Sequence, residues 1–318
     1  MNLEQVGTFV QEYIQNPLLI DGKKFDIGLY VTATSINPLR VYVYDNDVLL
    51  RFCHQPYYPF NVTNLDTYVV GNLYTPIWDM PSLKPYFIDL NMNTKQSFNG
   101  YIRNVLGKDP ATIWSQMEES IKTIFYTKQD QMIKYTEMFP SGRNFFEMVR
   151  FDFTLDEDLN VFLMEANMSP NLASAKFPPN RLIYEPVIYS LFSLTGLVRI
   201  PQIPNWATIP SNTEWDMLLL EKDLSVLSDV CSNPDCHFRN ETSSGCETVD
   251  HCDVCYHCLS EQLRLSLKDA YLEEHSKWHN KRLIPSTSVE AEVVASVNDY
   301  LQEKWFIGKC LQDSRWCN

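Results

Sequence analysis

Two apolar stretches decide the fold: FFEMVRFDF at residues 145–153 and VFLMEAN at residues 161–167. Both are rich in the aromatic and aliphatic residues typical of β-strands, and the acidic segment between them predicts a hairpin turn. Side chains two residues apart in a strand point to the same face, so Glu165 and Asn167 share a face, and a hairpin can bring Asp152 across to them. The sequence therefore predicts a cluster of oxygen ligands on a strand pair.

Two carboxylates and an amide form a ligand set that suits Mg²⁺, which keeps several waters and is usually shared with the phosphates of a nucleotide. The alternative is that acids at strand ends are merely solvated, and for a single acid that alternative is favoured. Glu165 argues against it, because the neighbouring Phe162-Leu163-Met164 and Ala166 predict burial, where an unpaired carboxylate is costly. We therefore expect Glu165 to be buried and interpret the cluster as a metal–phosphate site.

Short motifs before and after this hairpin follow a recognisable order. Phe146-Glu147-Met148 is followed by Phe151-Asp152, and Met164-Glu165-Ala166-Asn167 is followed by Ser169-Pro170. Further segments upstream keep the same order: Val10 to Asp26, Asn37-Pro38-Leu39-Arg40, Leu50-Arg51-Phe52 and Val62-Thr63-Asn64. Over roughly residues 9 to 200 the chain resembles the tubulin tyrosine ligase-like enzymes, and several motifs in the correct order are more specific than any one of them.

The resemblance implies both a fold and a reaction. The fold is α+β: an ATP-grasp-like antiparallel sheet, incomplete in this chain and flanked by helices, with a cysteine-rich helical tail after it. The reaction is that of an ATP-dependent ligase, in which ATP activates a carboxylate as an acyl phosphate, the amine of an amino acid attacks it, and Mg²⁺ neutralises phosphate charge. The amino-acid substrate expected is glutamate or glycine, with glutamate favoured, and the acceptor is tubulin, microtubules or another protein.

The resemblance also implies roles for individual residues. Asp152, Glu165 and Asn167 hold the Mg²⁺. Arg51 steadies the γ-phosphate or the acyl phosphate, a role that suits a guanidinium because its planar fork stays charged and binds phosphate through two hydrogen bonds. The residues expected to bind ATP are Gln11, Tyr13 and Ile14 at the adenine hinge, Lys24 and Asp26 in the nucleotide and substrate cleft, and Thr63 and Asn64.

Three positions depart from the family pattern. Gly28 stands where the family has an arginine expected to bind substrate or phosphate, Glu12 replaces a hinge lysine, and Arg150 replaces a small glycine on the strand of Asp152. Two interpretations stay open. One is a ligase with a changed substrate; the other is a non-catalytic member of the family that binds a nucleotide or a protein, because Gly28 has removed substrate capture.

The start of the chain lies close to the hinge. Met1 comes shortly before Gln11, whereas the phosphate-gripping lysines of the family belong to a lobe that precedes the hinge. The resemblance therefore implies the carboxy-terminal portion of a longer ligase, and we expect this chain alone not to catalyse ligation.

Composition and charge narrow the class further. The chain has 318 residues, of which 45% are hydrophobic, so it can bury a sizeable core. Its best apolar run, residues 182–200, is interrupted by Glu185, Pro186 and Arg199, so no segment is expected to span a membrane. A formal net charge of -14 argues against a nucleic-acid-binding protein, and the basic patch expected of a partner for acidic tubulin tails is not visible.

Hydrophobic periodicity and proline positions divide the chain into three predicted regions: the ligase portion at 1–200, a linker at 201–211 and the cysteine-rich helical tail at 212–318. The strands predicted upstream of the hairpin cover 25–34, 39–44 and 48–52. The helices predicted cover 111–139, 181–198 (interrupted or started at Pro186), 214–229, 261–281 and 289–309. Residues 54–109 lack a clear period and are expected to form a loop.

Eight of the nine cysteines lie in the tail, and two interpretations stay open. Disulfides are favoured, because eight is even and Cys310 and Cys317 are remote from any metal half-site; we expect that pair to clip the last helix back onto the cysteine-rich loop. In the alternative, structural Zn²⁺ is bound by Cys231, Cys236, Cys252 and Cys255, with His237, His251 or His257 as substitutes. Disulfides indicate a lumenal or extracellular location. The resemblance indicates the cytoplasm and microtubules, and its alternative is a divergent membrane-anchored branch with a lumenal catalytic part.

Two other histidine arrangements carry no function in this interpretation. Cys53 and His54 are adjacent, but neighbouring strand residues point to opposite faces, so they do not form a thiol–imidazole pair. His275 and His279 have helical spacing, but the helix lacks the glutamate of a metalloprotease motif, so we expect surface residues.

Overall fold

The structure is a computed structural model that describes residues 11–139, 145–197, 221–236, 246, 252–286 and 296–317. The strands are β1 (Phe25–Ile36), β2 (Leu39–Tyr44), β3 (Leu49–Phe52), β4 (Thr75–Pro76), β5 (Glu147–Leu155), β6 (Val161–Met168) and β7 (Asn280–Ile284). The helices are α1 (Thr94–Asn104), α2 (Ala111–Thr136), α3 (Arg181–Leu194), α4 (Glu221–Leu224), α5 (Ser228–Cys231), α6 (Glu261–Ser276) and α7 (Val297–Gln312). This is the predicted α+β class, an antiparallel sheet flanked by helices with a cysteine-rich region after it.

The chain divides into two compact units. The first unit contains residues 1–28, 47–119 and 151–166, and the second contains residues 29–46, 120–150 and 167–318. β1, α2, β5 and β6 each contribute residues to both. The three-region division made from the sequence stays a prediction, and its linker at 201–211 lies outside the described residues.

In the first unit, the beginning of β1 pairs antiparallel with β3, and β3 pairs with β4. The register places Asp26 of β1 opposite Arg51 of β3. The buried ring of Phe25 lies next to Asp26 in sequence, with its centroid 5.4 Å from that of Phe52 and 6.0 Å from that of Phe98. These contacts hold one face of β1 in the core, so by strand alternation Asp26 is presented on the opposite face.

In the second unit, the rest of β1 pairs antiparallel with β2, and β2 pairs antiparallel with β7. Helices α6 and α7 bury an apolar cluster that includes Leu267, Trp305 and Phe306. The Trp305 indole nitrogen also donates to the Leu224 carbonyl at 2.6 Å. Residues from the early strands and residues from the cysteine-rich tail therefore belong to one folded unit.

The tail cysteines are paired in four disulfides: Cys231–Cys255, Cys236–Cys252, Cys246–Cys258 and Cys310–Cys317. The favoured disulfide interpretation is therefore the one that the structure adopts. The expectation that Cys310 and Cys317 clip the last helix onto the cysteine-rich loop is wrong, because these two cysteines bond to each other and close only the end of α7.

Most elements of the amino-terminal region agree with the sequence predictions. β2 has the predicted bounds, and β1, β3, α2 and the β5–β6 hairpin lie close to theirs. The helix predicted from residue 181 forms as α3, which runs through Pro186 rather than starting there. The predicted helix over 289–309 is observed as α7, and residues 289–295 lie outside the described residues.

Three predictions of secondary structure are wrong. The expected loop at 54–109 contains α1, which begins with a capping box between Asn93 and Gln96. The helix predicted over 261–281 ends at Ser276, because the residues after it pair with β2 as strand β7. The helix predicted over 214–229 is interrupted at Leu227, whose φ of 50° is left-handed; its residues 214–220 lie outside the described residues.

Candidate functional site

Arg51 connects two carboxylates in the first unit. Its Nε donates to Asp26 Oδ1 at 2.9 Å, and its Nη2 donates to Asp26 Oδ2 at 2.8 Å, which is a two-point grip. The same Nη2 donates to Asp152 Oδ2 at 3.0 Å. Strands β1, β3 and β5 each supply one member of this group, the Asp26–Arg51–Asp152 triad.

The triad is strongly desolvated. The side chains of Asp26 and Asp152 are 4% and 1% exposed, and that of Arg51 is 15% exposed. Arg51 thus donates to two carboxylates that are almost completely shielded from water. A buried carboxylate depends on such compensating partners, because burial of an unpaired charge is costly.

Aromatic rings surround the Lys24 ammonium in the same unit. Its Nζ lies 5.1 Å from the ring centroid of Tyr13 and donates to the Tyr68 carbonyl at 3.1 Å. The Tyr13 ring lies 5.9 Å from Tyr68 and 6.0 Å from Phe60, and the Tyr13 and Tyr57 hydroxyls are 3.1 Å apart. Burial lowers the pKa of Lys24, and burial together with the Tyr57 hydrogen bond raises the pKa of Tyr13.

A cavity of about 620 Å³ lies between the hinge segment and β6. It is lined by residues 11–16 and by Phe162, Leu163 and Met164, all of the first unit. Gln11, Tyr13 and Ile14, the residues predicted for the adenine hinge, are thus brought together at one cavity. Its volume lies in the range of small-molecule sites, which are about 300–1,000 Å³.

Glu165 lies on β6, which pairs with β5, the strand of Asp152. The expectation that Glu165 is buried is wrong: its side chain is exposed, as are Phe162 at 39% and Met164 at 41%. The physical reason is that the apolar run is not covered by packing: no residue of β6 is buried, and among the described strands β6 pairs with β5 alone. Asn167 is half-buried and belongs to the second unit, and its role stays a sequence-based prediction.

Thr63 and Asn64 lie in an exposed turn. The Thr63 amide and hydroxyl donate to Asn61 Oδ1 at 3.0 and 2.8 Å, and the Asn64 amide donates to the Asn61 carbonyl at 2.9 Å. The Asn64 carbonyl accepts from the Thr67 hydroxyl at 2.8 Å. The turn precedes Tyr68, which contacts both Tyr13 and Lys24 as described above.

The structure places each of the three residues that depart from the family pattern. Gly28 is buried on β1 opposite Leu49, two residues after Asp26, so a side chain there would point to the face that Asp26 uses. Glu12 lines the hinge cavity and is exposed. Arg150 is buried on β5, two residues before Asp152.

Sequence reasoning missed several residues at these sites. Tyr57, Phe60 and Tyr68 lie in the segment that the sequence predicts as a loop, and the sequence gives Phe162 and Met164 no role beyond being apolar neighbours of Glu165. The signal for the first group was the density of aromatic residues between His54 and Asp109. No periodic pattern marked them, because their grouping depends on the path of the loop.

The cysteines and histidines form no further catalytic pair in the described part of the chain. Cys53 is buried, burial raises its pKa to about 12, and the adjacent His54 is exposed. Cys246, His257 and Cys258 place their ligand atoms within 4.8 Å of one another, but the two cysteines are joined in a disulfide. His275 and His279 are exposed, as expected, and His237 and His251 lie outside the described residues. No helix within the described ranges is both long and apolar enough to cross a membrane.

Comparison with known proteins assigns the family. The model of the tubulin-tyrosine ligase family matches residues 2–205, which include the hinge cavity, the triad and the β5–β6 hairpin. The chain therefore belongs to the tubulin-tyrosine ligase family. Residues 206–318, with the four disulfides, follow the matched region.

Several curated relatives are similar to the chain. It is 38% identical over 318 residues to "Probable tubulin polyglutamylase ttll-15" of Caenorhabditis elegans, an alignment that covers 100% of this chain and 60% of that protein. It is 34% identical over 170 residues to "Tubulin polyglutamylase TTLL11" of Mus musculus, covering 51% of this chain and 23% of that protein. With "Tubulin polyglutamylase TTLL5" of Mus musculus the identity is 31% over 210 residues, covering 62% and 15%. The chain thus spans less than two thirds of the length of these relatives.

Proposed function

We propose that this chain carries the nucleotide- and magnesium-binding part of an ATP-dependent ligase that adds glutamate to tubulin. The first unit provides the machinery: the hinge cavity receives the adenine, Lys24, Thr63 and Asn64 contact the rest of the nucleotide, and Arg51 contacts the terminal phosphate. Asp152 and Glu165 supply oxygen ligands to Mg²⁺. The observation that carries the proposal is the combination of this cavity with a triad of two buried carboxylates and one guanidinium inside the region that matches the family.

The donor set fits the metal. Carboxylate oxygens are the ligands that Mg²⁺ prefers, and Asp152 and Glu165 lie on two strands that pair directly. When bound, Mg²⁺ would neutralise the charge that develops on the transferred phosphate. The protein's own contribution is to hold Arg51 in place through Asp26 and to orient the nucleotide against Tyr13 and Lys24. Asn167 as a third ligand stays a prediction.

The choice of glutamate and tubulin rests on the names of three relatives, two of them tubulin polyglutamylases and one a probable tubulin polyglutamylase. A microtubule-associated location follows from the same names. The four disulfides favour an oxidising compartment instead. If the protein is lumenal or extracellular, the acceptor is a different protein with acidic segments, and the chemistry of the first unit is unchanged.

A second candidate function is non-catalytic nucleotide binding. Gly28 favours it, because that position shares a face with Asp26 and carries no side chain to capture a substrate carboxylate. Under this alternative the hinge cavity and the triad still bind ATP and Mg²⁺. The two functions therefore differ in turnover and not in nucleotide affinity.

The test combines binding with transfer. Calorimetry would measure the ATP affinity of the chain with Mg²⁺ and with a chelator. Labelled glutamate incorporation into tubulin would be followed in parallel with a longer form that includes the lobe expected before the hinge, because this chain alone is expected not to catalyse ligation. Tyr13→Ala is expected to weaken ATP binding about tenfold or more, because it removes the aromatic lining of the cavity. Tyr135→Ala is the matched control, since Tyr135 is exposed on α2 and lines no part of the cavity.

The outcomes separate the candidates. ATP binding with glutamate incorporation supports the ligase, and ATP binding without incorporation into tubulin or any offered acceptor supports the non-catalytic alternative. In the second case Gly28→Arg tests the cause, because restored transfer would assign the loss to that position. Absence of ATP binding in the wild-type chain would overturn both.

A further inference from the structure

The exposed turn at residues 61–64 of the first unit carries a sequence signature that the proposed function does not use. Asn61-Val62-Thr63 has the form Asn-X-Thr with X other than proline, which is the acceptor signature for N-linked glycosylation. Three tripeptides of the Asn-X-Ser/Thr form occur in the chain, beginning at Asn61, Asn167 and Asn240. Because such short signatures recur by chance, the local structure is needed to tell which asparagine is suited to carry a sugar chain.

The geometry of the turn presents the Asn61 carboxamide to solvent. Asn61 is exposed, and its Oδ1 accepts hydrogen bonds from the Thr63 amide at 3.0 Å and from the Thr63 hydroxyl at 2.8 Å. These bonds fix the carboxamide by its oxygen, while Nδ2 takes part in no hydrogen bond within the described part of the chain. Nδ2 is the atom that bears the sugar in an N-linked glycan. Attachment there keeps the carbonyl oxygen, so both bonds from Thr63 persist in the modified turn.

The other two signatures lie in different settings. Asn167 is half-buried on β6, which pairs with β5, and a bulky sugar chain belongs on an exposed loop and not in a paired strand. Asn240 lies outside the described residues. Of the two asparagines that the structure describes, Asn61 is therefore the one suited to modification.

The surroundings of Asn61 add a reason for a sugar chain at this point. The large side chains of Tyr58, Phe60, Val62 and Leu65, which flank Asn61 in the sequence, are all exposed. Exposed apolar side chains grouped in this way are an aggregation liability unless something covers them. A hydrated sugar chain at Asn61 would shield this segment from other chains, since N-linked glycans are bulky and solubilising.

The cysteine-rich tail supplies an independent observation. Its eight cysteines are paired in four disulfides, which form and persist in oxidising environments such as the secretory compartments. N-linked acceptor signatures are used in secreted proteins, which pass through the same compartments. The disulfides of the second unit and the exposed acceptor of the first unit thus indicate the same location by different chemistry.

We propose that Asn61 is an N-glycosylation site and that the protein passes through the secretory pathway. Asn61 Nδ2 forms a bond to the anomeric carbon of a lipid-linked oligosaccharide diphosphate. The bond between that carbon and the phosphate oxygen breaks, the lipid diphosphate leaves, and Nδ2 gives up one proton, so nothing is oxidised or reduced. The inference goes beyond the proposed function, because it selects between the two locations that this function leaves open, and it does not depend on ATP binding.

The experiment reads the occupancy of each asparagine by peptide mass spectrometry after enzymatic deglycosylation, which converts a glycan-bearing asparagine to aspartate. Two sources are compared: the full chain secreted from eukaryotic cells behind a cleavable leader, and the protein isolated from its own tissue. Asn61 is expected to carry a glycan on most molecules from both sources, and Asn167 on none.

Variants of the secreted chain test the signature itself. In a background of Asn240→Gln, Asn61→Gln and Thr63→Val are each expected to abolish the gel mobility shift that deglycosylation removes. Thr63→Ser is the matched control, because it changes the same residue and keeps the Asn-X-Ser/Thr signature, so the shift should remain. A shift that survives both Asn61→Gln and Thr63→Val would show that the sugar is attached elsewhere and would contradict the assignment.

Each source can overturn the proposal. A bare Asn61 in the secreted chain would show that the turn is not an acceptor, and occupancy of Asn167 equal to that of Asn61 would refute the structural argument. A bare Asn61 in the native protein would also overturn it, and thiol labelling then gives the cause: oxidised cysteines mean that the site is unsuitable, whereas free thiols mean that the compartment is reducing. None of these outcomes affects the calorimetric test of ATP binding, so the two proposals fail separately.

Discussion

Arg40 and Arg51 are two arginines that each hold one carboxylate through two hydrogen bonds, but Arg40 is buried and Arg51 is half-buried. In the second unit, Arg40 of β2 binds Glu273 of α6 through Nε at 2.8 Å and Nη2 at 3.1 Å. Its Nη1 donates to the neutral oxygens of Ser266 and Gln302 at 2.7 and 2.9 Å. In the first unit, Arg51 grips Asp26 in the same way, but its further acceptor is a second carboxylate, Asp152.

The two arginines show that the same fork geometry occurs in different surroundings. Arg40 is 2% exposed, holds one carboxylate through two hydrogen bonds and places its other donors on neutral groups. Arg51 is more exposed and donates to two carboxylates. Fork geometry alone does not separate the two cases. The chemical type of the further acceptor and the access of solvent do.

The largest expected effect comes from breaking the Arg40 arrangement. Arg40→Met leaves the Glu273 carboxylate buried without its cation, and removal of one partner from a buried pair typically costs about 3–5 kcal/mol. We expect a loss of that size in the free energy of unfolding, measured by urea denaturation, and no recovery on adding Mg²⁺. The Arg51 triad should differ on the second point, because a divalent cation can replace the missing charge there.

Two controls keep this result interpretable. The double variant Arg40→Met/Glu273→Met should recover part of the loss, because replacing both partners removes the unpaired buried charge. Arg181→Met should change the free energy of unfolding by no more than about 0.5 kcal/mol, as is usual for an exposed site. A loss below about 1 kcal/mol in Arg40→Met would contradict the view that Arg40 joins β2 to the tail helices.

All four disulfides belong to the second unit, the one that contains Arg40, so their contributions to stability extend the comparison of the two units. Cys231 and Cys255 are 24 residues apart, and Cys310 and Cys317 are 7 apart. The Cys236–Cys252 disulfide lies inside the Cys231–Cys255 loop and shortens it, so both double variants are compared in a background that carries Cys236→Ser/Cys252→Ser. A longer loop loses more chain entropy when it is closed, so in that background Cys231→Ser/Cys255→Ser should cost about 3 kcal/mol and Cys310→Ser/Cys317→Ser about 1 kcal/mol less. Urea denaturation of both double variants would measure the difference. An equal or reversed order would mean that local contacts, and not loop length, determine what each disulfide contributes.

Much of the sheet could be predicted from the sequence because its signals are local. β2 and the β5–β6 hairpin follow from runs of β-forming residues bounded by turns. Helix α1 was missed although Asn93 and Gln96 carry a capping signal, since its apolar residues are few. β7 was missed because Asn280–Ile284 becomes a strand only by pairing with β2, a partner far away in the sequence.

The sequence predicts which residues belong to the candidate site, but it does not predict which contacts they make with one another. Strand alternation and family resemblance identify Asp26, Arg51 and Asp152, but neither shows that one guanidinium holds both carboxylates. The prediction that Glu165 is buried is wrong for a different reason. Its apolar neighbours indicate burial only if β6 is covered on both faces, and coverage is a property of the whole sheet.

The smallest effect expected is a pH dependence from Asp47, a buried carboxylate of the first unit that belongs to no ion pair among those described. Burial raises its pKa to about 6, against the effect of backbone hydrogen bonds from Lys95, Val48 and Thr94, which lower it. The folded state therefore binds this proton more tightly than the unfolded state, whose carboxyl has its ordinary pKa of 3.8. The stabilising contribution is complete below pH 3.8 and is lost as the pH rises through about 6.

Asp47→Asn isolates this contribution, because the amide keeps an oxygen for the Val48 and Lys95 donors and does not titrate. Between pH 4 and pH 7.5 the free energy of unfolding of wild type should fall by about 1–3 kcal/mol relative to that of Asp47→Asn, at roughly 1.4 kcal/mol per unit of pKa difference. Urea denaturation across this range measures the two curves. Parallel curves would mean that the backbone donors offset burial, and Asp47 would then resemble Arg40, a buried charge whose partners fully compensate it.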